Sequence, residues 1–140
     1  MVWRNGNKVR DKGLVAKLLL DTHTLIWALS EPEKLPLKIT KLLTDVNNII
    51  FASVVSLWEL QIKKSLGKII LPEEFALQLQ GCGYELLNVT PEHILKLENI
   101  PLLHRDPFDR MLIAQSLFEK MPLVTKDSEI LRYDLEFIKF

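Results

Sequence analysis

The stretch KLLLDTHTLIWALSE, residues 17–31, decides the fold class. KLLL is a short continuous apolar run of the kind a buried strand shows, and THTLIWALSE has helical spacing at Leu25, Ile26 and Leu29. An aspartate, Asp21, stands at the junction. A strand running directly into a helix is the opening of a parallel α/β sheet, and the rest of the chain repeats the pattern. Pro32 and Pro36 interrupt it, and residues 37–46 read as a second helix. NNIIFAS, residues 47–53, is the next strand. Ser53 then caps an amphipathic helix carrying Val54, Leu57, Trp58, Leu60, Ile62 and Leu66, which stops near Gly67. Residues 72–83 give another helix, 84–89 a third strand, and 91–99 a helix opened by Thr90 and Pro91. A helix over 107–120, a short strand PLVT at 122–125 and a last strand at 135–140 complete the series. Strands alternating with helices imply a three-layer α/β/α domain around a central, mainly parallel sheet.

Length and charge narrow the function. At 140 residues and 48% hydrophobic, the chain suits one domain over residues 17–140. Residues 1–16, charged and without an apolar segment, read as an N-terminal extension outside the fold: a genuine tail or a misassigned translation start. Eighteen basic and 18 acidic residues cancel, so binding to a polyanion must be local. The single cysteine, Cys82, excludes a disulfide framework and a cysteine-rich zinc site and fits a reducing cytoplasm. No apolar run approaches the ~20 residues needed to span a bilayer.

In an open α/β sheet, ligands bind outside the carboxyl ends of the strands. Asp21 follows the first strand there, and Asp127 follows the strand PLVT in LVTKD. Glu59 lies two turns into the helix after the second strand, and Asp109 in the first turn of the helix leading to the fourth. Each has an ordinary structural reading. Asp21 can cap the helix that starts at Thr22, Glu59 can pair with Lys63 four residues on, and Asp127 can cap the DSEILRY segment. In DPFD, Asp106 serves as N-cap with Pro107 at the first helical position, which leaves Asp109 only a favourable place in the helix dipole. Four acids at one edge, however, repel unless one takes up a proton or a cation neutralises them. An all-oxygen donor set suits hard ions such as Mg²⁺ or Mn²⁺, whose chemistry with water and phosphorus is phosphodiester hydrolysis.

With these residues in place the chain resembles the PIN-domain ribonucleases, and among them the VapC-type toxins of bacterial toxin–antitoxin pairs. LLLDTHTLIWAL (18–29), FASVVSLWELQIKKSLGKI (51–69), HRDPFDRMLIAQS (104–116) and LVTKD (123–127) carry the resemblance, in order and spacing. It implies that Asp21, Glu59, Asp109 and Asp127 hold Mg²⁺ or Mn²⁺, with Thr125, Thr22 and Asp106 in support. It also implies endonucleolytic cleavage of RNA that releases a 3′ oxygen, a homodimer meeting through helices of the N-terminal half, and a cognate antitoxin whose C-terminal segment covers the groove.

Other residues are placed by their surroundings. Lys63, Lys64, His104, Arg105 and Arg110 lie near the acids in sequence and could meet phosphate. His23 reads as an edge residue of the site and His93 as a solvated helix residue. Trp27, Trp58 and Phe108 fall in apolar helical patterns and are expected in the core rather than in base stacking. A haloacid-dehalogenase-type phosphotransferase would need a second aspartate two residues after Asp21, where His23 stands. A receiver-type signalling domain would need an aspartate after the third strand, and YELLNVTPE has none. The non-enzymatic alternative is an inactive PIN-like module that binds nucleic acid or protein.

Overall fold

The computed structural model describes residues 2–4, 7–9 and 16–140. Five strands form one wholly parallel sheet in the order β5-β4-β3-β6-β7, with β3 (Ala16–Leu20) at its centre, β4 (Asn48–Ser53) and β5 (Glu85–Leu87) on one side, and β6 (Leu123–Thr125) and β7 (Phe137–Lys139) on the other. Two short N-terminal strands, β1 (Val2–Arg4) and β2 (Asn7–Val9), pair antiparallel with each other in a separate ladder. The remainder of the expected 1–16 extension lies outside the described residues, except that Ala16 already belongs to β3.

The LLL run works as a central strand because its side chains alternate between two cores. Leu18 and Leu20 pack in a cluster with Leu25 of α1 (Thr22–Ser30), Ile39 and Leu42 of α2 (Leu37–Thr44), Leu60 of α3 (Val54–Ser65), and Phe75 and Leu79 of α4 (Phe75–Gly81). Leu19 faces the other way, against Leu112, Ile113 and Ala114 of α6 (Pro107–Glu119), on which α5 (Pro91–Lys96) packs. A strand buried on both faces cannot show the polar alternation of an exposed sheet, which is why the run reads as continuously apolar. This is the three-layer α/β/α arrangement expected from the alternating pattern.

Element ends depart from the expected spans by a few residues, for local reasons. Pro32 opens a 3₁₀ turn and Pro36 caps α2. The helix expected over 72–83 is reduced to α4, and residues 97–99 of the helix after Thr90 tighten into a 3₁₀ turn. Gly67 ends α3 with φ 71°, and the amides of Gly67 and Lys68 reach the carbonyls of Lys64 and Lys63 at 3.0 and 2.9 Å. This left-handed cap fixes the end of the helix that carries Glu59.

His93, expected in solvent, is fully buried. Its Nδ1 accepts the Thr90 amide at 3.0 Å while the Thr90 hydroxyl accepts the His93 amide at 3.3 Å, a reciprocal cap in which histidine takes the place usually held by Glu or Gln. With Nδ1 accepting, Nε2 carries the proton and donates to Glu119 Oε1 at 2.9 Å, which pins α5 to α6. Replacing His93 by Ala removes both bonds and leaves a void. The expected cost is about 2–3 kcal/mol, read as a lower urea midpoint at unchanged slope.

Candidate active site

The carboxyl ends of β3, β4 and β6 and the start of α6 surround a cleft of about 290 Å³ lined by Asp21, Thr22, Glu59, Lys63, His104, Asp106, Asp109 and Asp127, with His23, Ile26 and Ile69 completing its walls. All four sequence-predicted acids therefore meet there, although Asp21 and Asp127 are separated by most of the chain.

Asp21 is the most deeply held, at 2% exposure. It caps α1 through Oδ1, which accepts the Thr24 amide at 2.8 Å, while Oδ2 accepts the Thr125 hydroxyl at 2.5 Å. Its own amide donates to Val124 O at 3.1 Å. Burial raises its pKa above the usual carboxylate range, and the bonds from Thr125 and Thr24 oppose that rise. Asp21 thus caps α1 through one oxygen and is held by Thr125 through the other while it lines the cleft.

Glu59 is buried in the second turn of α3. Thr22 donates its hydroxyl to Oε1 at 2.9 Å and shares a 2.9 Å contact with the Ser56 hydroxyl, and Lys63 Nζ lies 2.9 Å from Oε2. The local ion pair and the buried polar site, alternatives in the sequence, coexist. Ser53 holds α3 in this pose. Its hydroxyl accepts the Val55 amide at 3.1 Å and donates to Gln115 Oε1 at 2.6 Å, so the start of α3 is tied to the helix that carries Asp109.

At the other wall, Asp106 caps α6 as expected, its Oδ1 accepting the Phe108 and Asp109 amides at 2.9 and 3.0 Å. Asp109 thereby stays free of capping, and His104 Nε2 lies 2.8 Å from its Oδ2. Burial, offset in part by the His104 bond, and the repulsion of Asp106, Glu59 and Asp127 push the Asp109 pKa up to about 6. Asp127 is placed by Thr125, whose hydroxyl oxygen accepts its amide at 3.0 Å, and its Oδ1 accepts the Glu129 amide at 2.8 Å. One threonine hydroxyl thus serves both Asp21 and Asp127. Among the described residues, a ring nitrogen of His104 and one oxygen each of Asp106 and Asp109 lie within 4.8 Å of one another, close enough to hold a cation together.

The basic residues divide by geometry. Arg105 is exposed beside the cleft. Arg110 donates instead to the carbonyls of Pro101 and Ile100, at 3.0 and 3.3 Å, stapling the preceding loop. Lys126 Nζ stands 4.1 Å over the Trp27 ring, a cation–π contact. Trp58, expected in the core, is 62% exposed and meets Phe108 edge-on at 5.2 Å. Helical spacing sets Ser56 beside Glu59, and the structure adds its contact with Thr22; Gln115 and the direct bond of His104 to Asp109 have no counterpart in the sequence pattern.

Fold and site together define a parallel α/β domain with an acidic cleft at the carboxyl edge of its sheet. The chain belongs to the PIN domain family, whose family model matches residues 18–136. Its fold is similar to solved VapBC complexes: VapBC2 of Rickettsia felis bound to a promoter DNA fragment (TM-score 0.66, 19% identity, 86% of this chain and 96% of that one) and DNA-bound VapBC of Salmonella typhimurium (0.65, 18%, 88% and 96%). VapBC-5 of Mycobacterium tuberculosis is similar at a TM-score of 0.54 and 18% identity, over 89% of this chain and 99% of that one. A probable serine/threonine-protein kinase of Dictyostelium discoideum is 39% identical over 62 residues, 42% of this chain, which spans only 4% of that protein's length.

The raised Asp109 pKa has a thermodynamic sign. The folded protein takes up a proton at Asp109 more readily than the unfolded chain, so between pH ~4 and ~6 stability falls as pH rises, and above that window the full cost of an ionised Asp109 is present. Asp109→Asn carries no such cost. In EDTA at pH 7.5 the variant is expected to be more stable than wild type by about 1–2 kcal/mol, after allowance for the residual exposure of the side chain, with the gap closing by pH 4. Denaturant unfolding at the two pH values checks it.

Proposed function

We propose that the protein is a divalent-metal-dependent endoribonuclease, the toxin of a toxin–antitoxin pair. The observation that carries this reading is the convergence of Asp21, Glu59, Asp109 and Asp127 on one cleft at the sheet edge. The donor set fits a hard cation: among the described residues several carboxylates line the cleft with one ammonium, that of Lys63, and burial, followed by the repulsion of Asp106, Glu59 and Asp127, pushes Asp109 toward protonation. Asp21, Glu59, Asp109 and Asp127 would hold Mg²⁺ or Mn²⁺, with Thr125 and Thr22 orienting Asp21 and Glu59. When bound, such an ion lowers the pKa of water and offsets charge developing on the scissile phosphate.

The chain's own residues supply the rest. Thr125 fixes the Asp21 carboxylate with a short hydrogen bond and at the same time sets the backbone of Asp127. Lys63 balances Glu59 and, at the rim, offers a positive charge to a phosphodiester, as exposed Arg105 does. These contacts read backbone charge, not base identity, and suit a single RNA strand drawn across the cleft. Likeness of fold to VapBC complexes supports a cognate antitoxin as partner. A homodimer is supported by the exposed apolar residues Trp58, Ile62 and Leu66 along α3, a surface that a lone subunit leaves in water. No helix among the described residues is long and apolar enough to cross a membrane, which accords with work in the cytoplasm.

Purified protein is expected to cut total RNA at discrete sites with Mn²⁺ or Mg²⁺ and not in EDTA. Asp21→Asn and Asp109→Asn should each lower the rate by roughly 100-fold or more. Metal-independent cleavage, or full activity in both variants, would refute the reading. No cleavage together with no calorimetric metal binding would favour a binding module. Separately, Trp58→Ser is expected to shift the sedimentation coefficient from dimer toward monomer.

A further inference from the structure

We propose that His104 is a positioning residue for the cleft: its Nε2–H holds one oxygen of Asp109 so that the other faces the cation, an inference that rests on the metal-dependent reading above. Four observations carry it. The Nε2 to Oδ2 distance is 2.8 Å, and an ionised carboxylate only accepts, so with Asp109 ready to hold a cation the imidazole must be the donor. The bond joins the segment before α6 to the first turn of that helix, whose capping is already done by Asp106, so His104 is not needed to start α6. Asp109 faces the repulsion of Asp106, Glu59 and Asp127, and a directed hydrogen bond selects one rotamer among several that such repulsion would otherwise populate.

The fourth observation is that the histidine's backbone is fixed from elsewhere in the fold. The hydroxyl of Tyr133, a residue only 6% exposed, accepts the amides of His104 and Leu103 at 2.8 and 3.2 Å. Arg110 Nη1 donates to the same hydroxyl at 3.3 Å, and Arg132 donates to Leu103 O at 2.8 Å. A histidine serving as ordinary surface charge has no use for a buried tyrosine behind it. Tyr133 follows the strand that ends in Thr125, so the segment that places Asp127 also braces the loop that aims Asp109.

The test is calorimetric titration of Mn²⁺ into wild type, His104→Ala and His104→Gln, with unfolding midpoints measured in parallel. The Gln amide nitrogen lies as many bonds from Cα as Nε2, so this variant can still donate to Asp109 but ligates metal poorly. His104→Ala is expected to weaken Mn²⁺ binding by about 10- to 100-fold while remaining folded at the titration temperature, and His104→Gln to stay within a few-fold of wild type. Equal weakening in both variants would overturn positioning in favour of the imidazole itself as a ligand. Wild-type affinity in His104→Ala would overturn it outright. If wild type binds no Mn²⁺, the metal-dependent reading falls first, an outcome distinct from either.

Discussion

The hydrogen bond from Thr125 to Asp21 is the constraint on which the rest of the molecule turns. It joins the carboxyl ends of the two central strands, β3 and β6, at the point where the Asp21 amide also reaches Val124 and the Thr24 hydroxyl donates to the same carbonyl. A carboxylate this deeply buried is costly unless its oxygens are satisfied, and here both are. The bond sets strand register and site geometry at once. With Leu19 opposite Leu123 and Leu20 opposite Val124, Asp21 and Thr125 fall at the same sheet edge. Slipping that register by one residue would exchange the two cores and separate Asp21 from Thr125 together.

Around that bond the cleft is built under electrostatic tension. A site with four acids and a fifth carboxylate, Asp106, beside them must either attract a cation or give up ionisation at one member, and Asp109, half-buried and facing three other carboxylates, is where the tension shows. Lys63 relieves it only at Glu59, from one side. The remaining rigidity comes from neutral donors: Thr22 on Glu59, Thr125 on Asp21, and Ser53 and Gln115 locking α3 to α6. Such a network keeps its shape whether or not the charges are neutralised, because hydroxyls and amides do not titrate with them. Stability is given up for an arrangement ready to bind, a trade common at functional sites.

Much of this was legible in the sequence because it is local. The strand-to-helix junction at Asp21, the cap at Asp106 and the stop at Gly67 each depend on a few neighbouring residues, and each stands where the pattern places it. The acids themselves were legible as a set only because the parallel order of strands brings strand ends to one edge. Partners of high sequence separation were not. Nothing near His93 announces Glu119, and nothing near His104 announces Tyr133, since both pairings depend on how α5, α6 and the C-terminal turn pack. A histidine in a helix reads as polar and solvated until the packing that buries it is known.

Trp58 shows the same limit in sharper form. Periodicity assigns α3 an apolar stripe and buries it, yet the helix buries Val55, Ser56, Glu59 and Leu60 and leaves Trp58, Ile62 and Leu66 in solvent. The reason is rotational. A helix has one azimuth, and successive side chains are turned by about 100°. To deliver Glu59 into the cleft, with Ser56 behind it on Thr22, the helix must turn Trp58 out of the core, where it rests edge-on against Phe108. Hydrophobic burial alone would favour the opposite rotation. The site wins because Ser53 anchors the first turn to Gln115 and Thr22 holds Glu59, whereas Leu60 keeps its place in the core in the chosen pose. An apolar helix face left in water is therefore the structural cost of placing the second acid, and it falls on the surface beside the site, where a second macromolecule can cover it.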